Sequence, residues 1–139
     1  KQYYTILREE LRSIPELTFR RVPQDGEESH AFLNFFLPDE DTTRKAHKAI
    51  SNAGVDACFY WFDNNWHYYK KWDHLTEQKS LGRLPSDVRA NLQDFKTTDF
   101  SASDAWMNRT ISSLIKVGWT EDEMKHRAQQ LKQAILSVL

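Results

Sequence analysis

The stretch Cys58–His74, CFYWFDNNWHYYKKWDH, holds the densest set of side chains able to do chemistry. Phe59, Tyr60, Trp61, Phe62, Trp66, Tyr68, Tyr69 and Trp72 stand there among Asn64, Asn65, His67, Lys70, Lys71 and His74. Rings mixed with amides, imidazoles and ammonium groups suit a core strand, a nucleic-acid platform, a metal site or one wall of a ligand pocket. A platform for single-stranded nucleic acid combines stacking rings with a basic groove, and Lys70 and Lys71 supply little of one. A zinc site needs three or four converging ligands; His67 and His74 are seven residues apart, and neither CxxC nor HExxH occurs. A pocket wall needs apolar rings with a few directed polar groups, and Tyr60, Asn64, Asn65 and His67 bring that mixture beside Trp61. The same composition also fits a loop folded over its own rings.

Other chemistry is sparsely represented. His30, His47 and His126 are scattered and read as surface or pocket-rim groups. Cys58 has no basic neighbour in sequence placed to lower its pKa and reads as a small buried apolar residue. Phosphate cradles need Gly-rich turns that let backbone amides approach the anion, whereas Gly26, Gly54, Gly82 and Gly118 are widely separated. No Ser/His/Asp arrangement follows from spacing.

These residues sit in a chain of 139, the size of one domain, read as a single unit over 1–139. Hydrophobic residues at 40% and charged residues at 28% point to a packed globule rather than a disordered chain. Lys and Arg number 19 against 20 Asp and Glu, so the broad positive field that drives nucleic-acid binding is missing. No nucleic-acid partner and no membrane partner are expected, since no apolar run approaches a membrane span and no signal peptide is evident. The single cysteine cannot close an internal disulfide, and a reducing cytoplasm is the expected compartment.

The elements that must position the ring-rich stretch can be read from periodicity. KQYYTILREELRSIP places Tyr3 or Tyr4, Leu7, Leu11 and Ile14 at helical spacing before Pro15. The opening falls inside this helix, which suggests a fragment lacking an N-terminal part. LTFRRV alternates as a short strand ended by Pro23. SHAFLNFFLP is apolar on nearly both faces and predicts a central strand covered on both sides. DEDTTRKAHKAISNAG predicts a helix capped by Asp39 or Asp41, with Ala46, Ala49, Ile50 and Ala53 as its stripe and Gly54 at its exit. VDACFYW predicts a strand with Val55, Ala57 and Phe59 inward, and Phe59 therefore in the core. HLTEQKSLG and SDVRANLQDF read as short helical pieces, and SASDAWMNR as a helix capped by Ser101 or Ser103. TISSLIKV, Thr110–Val117, predicts a third central strand. The final helix opens on a Thr120/Glu123 capping box with Trp119 and Met124 at staple spacing, and Met124, Ala128, Leu131, Ile135 and Val138 form its stripe. The sum is an α/β (α+β) two-layer sandwich, a small mostly antiparallel sheet with helices on one face.

In this order, several strings resemble the small C-terminal domain of the DegT/DnrJ/EryC1/StrS family of pyridoxal-phosphate sugar aminotransferases. SHAFLNFFLP is similar to the family's His-Ala-aromatic strand. HKAISNAGVDACFYW resembles its helix, Ala-Gly-Ile/Val turn and following strand. HYYKKW resembles the aromatic segment after it. NRTISSLIKVGWTEDEMKHRAQQLKQAI resembles the closing Ser-Leu-Pro strand and its Thr-Glu-Glu helix. The LIKVGWTEDE join leans toward the branch acting on eight-carbon keto sugar acids, the 8-amino-3,8-dideoxy-octulosonate transaminases. Tyr60 and Trp61 stand where the family usually has His and an aromatic residue, and Leu114 and Ile115 replace the end of Ser-Leu-Pro.

The resemblance implies the small domain of a larger enzyme, in which an absent N-terminal large domain carries the Schiff-base lysine. Pyridoxal phosphate would then be bound in the full-length enzyme and not by this chain alone, with no catalytic residue in the chain itself. Its implied partners are its own large domain, a homodimer partner, a sugar substrate and glutamate as amino donor. The product would feed cell-surface polysaccharide or lipopolysaccharide synthesis. The expected sugar-facing residues are Tyr60, Trp61, Asn64, Asn65 and His67, with His30 at the rim. Two other functions fit the residues alone: a stand-alone binding module of ferredoxin-like architecture, and a single-stranded RNA binder using the ring cluster.

Overall fold

The computed structural model describes residues 1–23, 26–64, 66–92, 94–95 and 97–139. Along the chain run α1 (Gln2–Leu11), β1 (Thr18–Phe19), β2 (Phe32–Phe36), α2 (Glu40–Asn52) and β3 (Cys58–Phe59). Two 3-10 turns follow, Trp61–Asp63 and Tyr69–Lys71, then α3 (Asp73–Thr76), α4 (Ser86–Ala90) and α5 (Ser101–Met107). β4 (Thr110–Leu114) and α6 (Glu121–Leu136) close the sequence.

The four strands form one sheet in the order β1-β2-β4-β3, every neighbouring pair antiparallel. β2 and β3 therefore run parallel, joined through α2, with β4 inserted between them as in a split βαβ unit. α1, α2 and α6 pack together as one layer over the sheet. This is the two-layer α+β sandwich that periodicity predicts.

Alternation on β2 decides where the core lies. Leu33 and Phe35 point to the helices and are fully buried, as is Leu37 just beyond the strand. They meet Leu7 and Leu11 of α1, Ala46 and Ile50 of α2, and Met124, Leu131 and Ile135 of α6 in one apolar cluster. Burial of these side chains removes roughly 25 cal/mol of unfavourable hydration per Å² of apolar surface. The N-terminal caps of α2 and α6 form as read. The Asp39 carboxylate accepts from the Thr42 amide at 2.7 Å, and burial-free but hydrogen-bonded, it is held below the usual carboxylate range by that bond. Thr120 and Glu123 complete a reciprocal capping box, with Glu123 Oε2 accepting from the Thr120 amide at 2.6 Å. At α5 the predicted serine cap is replaced: Phe100 occupies the cap position and the Asp99 carboxylate accepts from the Ser101 amide at 2.8 Å.

Two expectations are corrected. β2 is central but not covered on both sides. Its other face presents Phe32, Asn34 and Phe36, exposed or half-buried, and the ring-rich segment, Arg20 and Trp106 of α5 reach over parts of it. The polar pair formed by Asn34 and its cross-strand neighbour Ser112 explains why no apolar layer settles there. The second correction concerns β3. Ala57 adopts φ 53°, a left-handed turn that breaks the expected alternation after Val55. Cys58 consequently faces the helices beside Ser113, while Phe59 pairs with Ser112 and lies on the uncovered face rather than in the core. Burial pushes the Cys58 thiol pKa up, in keeping with an unreactive packed side chain.

Candidate functional site

The uncovered face of the sheet holds a hollow of about 290 Å³ lined by Arg20, Ser29, Phe32, Asn34, Trp61, His67 and Ser112. Its floor comes from the two central strands. The Ser112 hydroxyl donates to Asn34 Oδ1 at 2.7 Å. That bond fixes the amide plane and leaves the Asn34 NH2 group without a protein acceptor among the described residues.

One wall is aromatic. Trp61 stacks flat on Phe59, with centroids 4.6 Å apart and planes 11° from parallel. Phe59 in turn neighbours Phe32 across the sheet at 6.4 Å. His67 meets the Trp61 ring edge-on at 4.4 Å and 88°. The position of Trp61 is set by the 3-10 turn that carries it, and Arg44 of α2 clamps that turn. Its guanidinium forks onto both carboxylate oxygens of Asp63, bonds Glu40 at 2.7 Å, and lies over the Tyr60 ring at 5.2 Å. A planar fork held by two carboxylates and a ring fixes its partners more firmly than a single ammonium would.

Arg20 stands at the opposite side, following β1. One of its nitrogens donates to Glu28 Oε1 at 2.7 Å, and the Tyr4 hydroxyl donates to the other oxygen of the same carboxylate. Burial alone would raise the Glu28 pKa, but these two hydrogen bonds together hold it below the ordinary value. Arg20 is thus oriented by a carboxylate that these bonds favour in its charged form, and it lines the hollow.

The residues singled out from sequence divide under this geometry. Trp61 and His67 come together at the hollow. Tyr60 does not share it: its ring is buried and its hydroxyl donates to the Asn108 carbonyl at 2.9 Å, bracing β3 against the end of α5. Asn64 turns its side-chain oxygen back to accept from the Trp66 amide at 2.7 Å and does not line the hollow. Asn65 lies outside the described residues. His30 sits elsewhere, at φ 59° and edge-on to Tyr4 at 5.0 Å, beside a separate hollow near Lys1 and Lys116. Arg20, Ser29, Phe32, Asn34 and Ser112 are the lining residues that sequence reading missed. A signal was present in FLNFF, where one amide interrupts an otherwise apolar strand, but its meaning depended on knowing that this face is uncovered.

The arrangement can bind a polyhydroxylated, negatively charged small molecule. A ring face offers itself to apolar C–H groups, the Asn34 amide and Ser112 hydroxyl to hydroxyl groups, and the Arg20 fork to a carboxylate. No lysine lines the hollow, and a Cβ added at Gly54, Gly82 or Gly118 would meet open space, so none of these marks a close phosphate cradle. Among the described residues no group of three or more His, Cys, Asp or Glu could hold a metal ion. No helix is long and apolar enough to cross a membrane among those residues. No family model matches the chain.

Proposed function

We propose that this chain acts as the substrate-closing small domain of a pyridoxal-phosphate-dependent aminotransferase that aminates a keto or aldehyde sugar. One observation carries the reading: Arg20, Asn34, Ser112, Trp61 and His67 converge on the uncovered face of a two-layer sandwich. The hollow of about 290 Å³ is at the low end of ligand pockets, which span roughly 300–1,000 Å³. It is open on one side, as one wall of a larger pocket would be. The ordered strings that resemble the DegT/DnrJ/EryC1/StrS small domain support the same assignment. The Arg20 fork, which suits a carboxylate, favours an eight-carbon keto sugar acid over a neutral sugar.

On this reading the cofactor and its lysine belong to a large domain that supplies the amino-transfer chemistry, with glutamate as donor and a homodimer as the working unit. The present residues bind and orient. Trp61 covers the sugar's apolar face, Asn34 and Ser112 fix a hydroxyl pair, Arg20 anchors the acid group, and the rings of Phe59 and Phe32 exclude water beneath. The reaction would serve cell-surface polysaccharide or lipopolysaccharide synthesis in the cytoplasm.

The two half-reactions of the complete enzyme separate this role from a merely structural one. Asn34→Ala and Trp61→Phe are expected to lower kcat/KM for the sugar at least tenfold, while the rate of the glutamate half-reaction stays within about twofold; tenfold corresponds to about 1.4 kcal/mol of lost transition-state binding. Equal loss in both half-reactions would overturn the site.

A further inference from the structure

A second hollow, of about 560 Å³, lies toward the α5 end of the same sheet face and is lined by Thr18, Phe19, Arg20, Arg21, Phe36, Trp106 and Arg109. The chain as a whole is electrically balanced, with 19 basic and 20 acidic residues, yet three arginines line this one hollow. Only Arg20 has a carboxylate partner among the described residues, and that partner, Glu28, is shared with Tyr4. Asp39 and Glu40 border Arg109 in an adjoining hollow without bonding it: Asp39 caps α2, and Glu40 serves Arg44 and Asn108. Clustered like charges with a single direct carboxylate partner are unfavourable, and an anionic ligand relieves them.

Arg109 is held ready for such a ligand. Its Nε–H donates to the Ala105 carbonyl at 3.1 Å and its Nη1 to the Pro38 carbonyl at 3.4 Å. The guanidinium lies 5.0 Å from the centre of the Trp106 ring. Trp106 itself is 56% exposed and braced edge-on by Phe36 at 5.1 Å. These contacts fix the plane of the fork through neutral partners, so its charge is not cancelled and its outward N–H donors remain.

We propose that this hollow binds a phosphate ester, with Arg109 and Arg21 gripping the phosphoryl oxygens, Arg20 completing the charge, and the organic part resting on Phe36 and Trp106. A tetrahedral dianion can accept from several forks at once, whereas a carboxylate is satisfied by one fork in its own plane. The site adjoins the sugar hollow and shares Arg20 with it, but Arg109 and Arg21 belong to it alone, so it stands whether or not that assignment holds.

Calorimetric titration of the intact protein with inorganic pyrophosphate, at constant ionic strength, tests it. One saturable site per chain is expected, weakened at least tenfold in Arg109→Lys, which keeps the charge but loses the fork. Arg21→Gln, a change on an exposed segment outside the core, should weaken it at least threefold. Binding that is undetectable, or that is unchanged in both variants, overturns the proposal. So does glutarate binding as tightly as pyrophosphate, because the hollow would then be a carboxylate site. Neither variant touches the sugar hollow's own residues, so failure here leaves the sugar half-reaction test unaffected.

Discussion

Tyr60 shows how a residue of site-like composition can be given over to bracing. Its ring is enclosed by Arg44, His47 and Phe62, and its hydroxyl is spent on the Asn108 carbonyl. Burial pushes its pKa up to about 12, and Tyr4, buried against the Glu28 carboxylate, is likewise pushed up to about 12. A phenol whose pKa is raised in the folded state holds its proton more tightly there than in the unfolded chain. The stability it contributes is complete below the unfolded value of about 10 and is lost as pH rises toward about 12. Denaturant melts across that range are expected to show a falling midpoint, with Tyr60→Phe flattening part of the slope. At neutral pH the same substitution should cost about 1 kcal/mol through the lost hydrogen bond. Composition placed Tyr60 with Trp61 and His67; only the turn at Ala57, φ 53°, separates the inward phenol from the outward indole. A left-handed alanine leaves no sequence signature, which is why Phe59 was expected inside and is found outside.

Among the elements, legibility follows the strength of local determinants. α2 was readable from both ends because a cap, a stripe and an exit residue agree, and α6 from its capping box and stripe. Thr120→Ala removes the α6 capping box and is expected to destabilise the protein by about 1 kcal/mol, measurable as a shift in urea midpoint without a change in slope. The short helices α3, α4 and α5 could be located but not their caps, since the Asp99 side chain that serves α5 lies outside the helix. β2 was recognised as a central strand, yet its partner layers were not. Phe32 and Phe36 read as buried in sequence and instead flank Asn34 on an aromatic floor that a ligand can use. Apolar side chains set on an uncovered face look the same in sequence as core, and only the polar Asn34–Ser112 pair between them betrays the difference.

At the scale of the whole molecule, one apolar cluster holds α1, α2 and α6 to the sheet, and Leu131 of α6 is fully buried within it. Leu131→Ala should cost about 2–5 kcal/mol, seen as a lowered urea midpoint, with the size set by how far the neighbours collapse into the cavity. The two-layer architecture was legible because hydrophobic period switches cleanly between helices and strands; the two hollows were not, because they assemble from β1, β2, β4 and the ring-rich segment together. The strand order has a further consequence for synthesis. β3 pairs with β4 alone, and the long edge of β2 away from β1 is also filled by β4. As the chain leaves the ribosome, Phe32–Phe36 and Cys58–Phe59 wait with unpaired backbone edges until Thr110–Leu114 emerges and slots between them. Until then the nascent chain offers a strand-shaped gap, open to any extended segment that reaches it first.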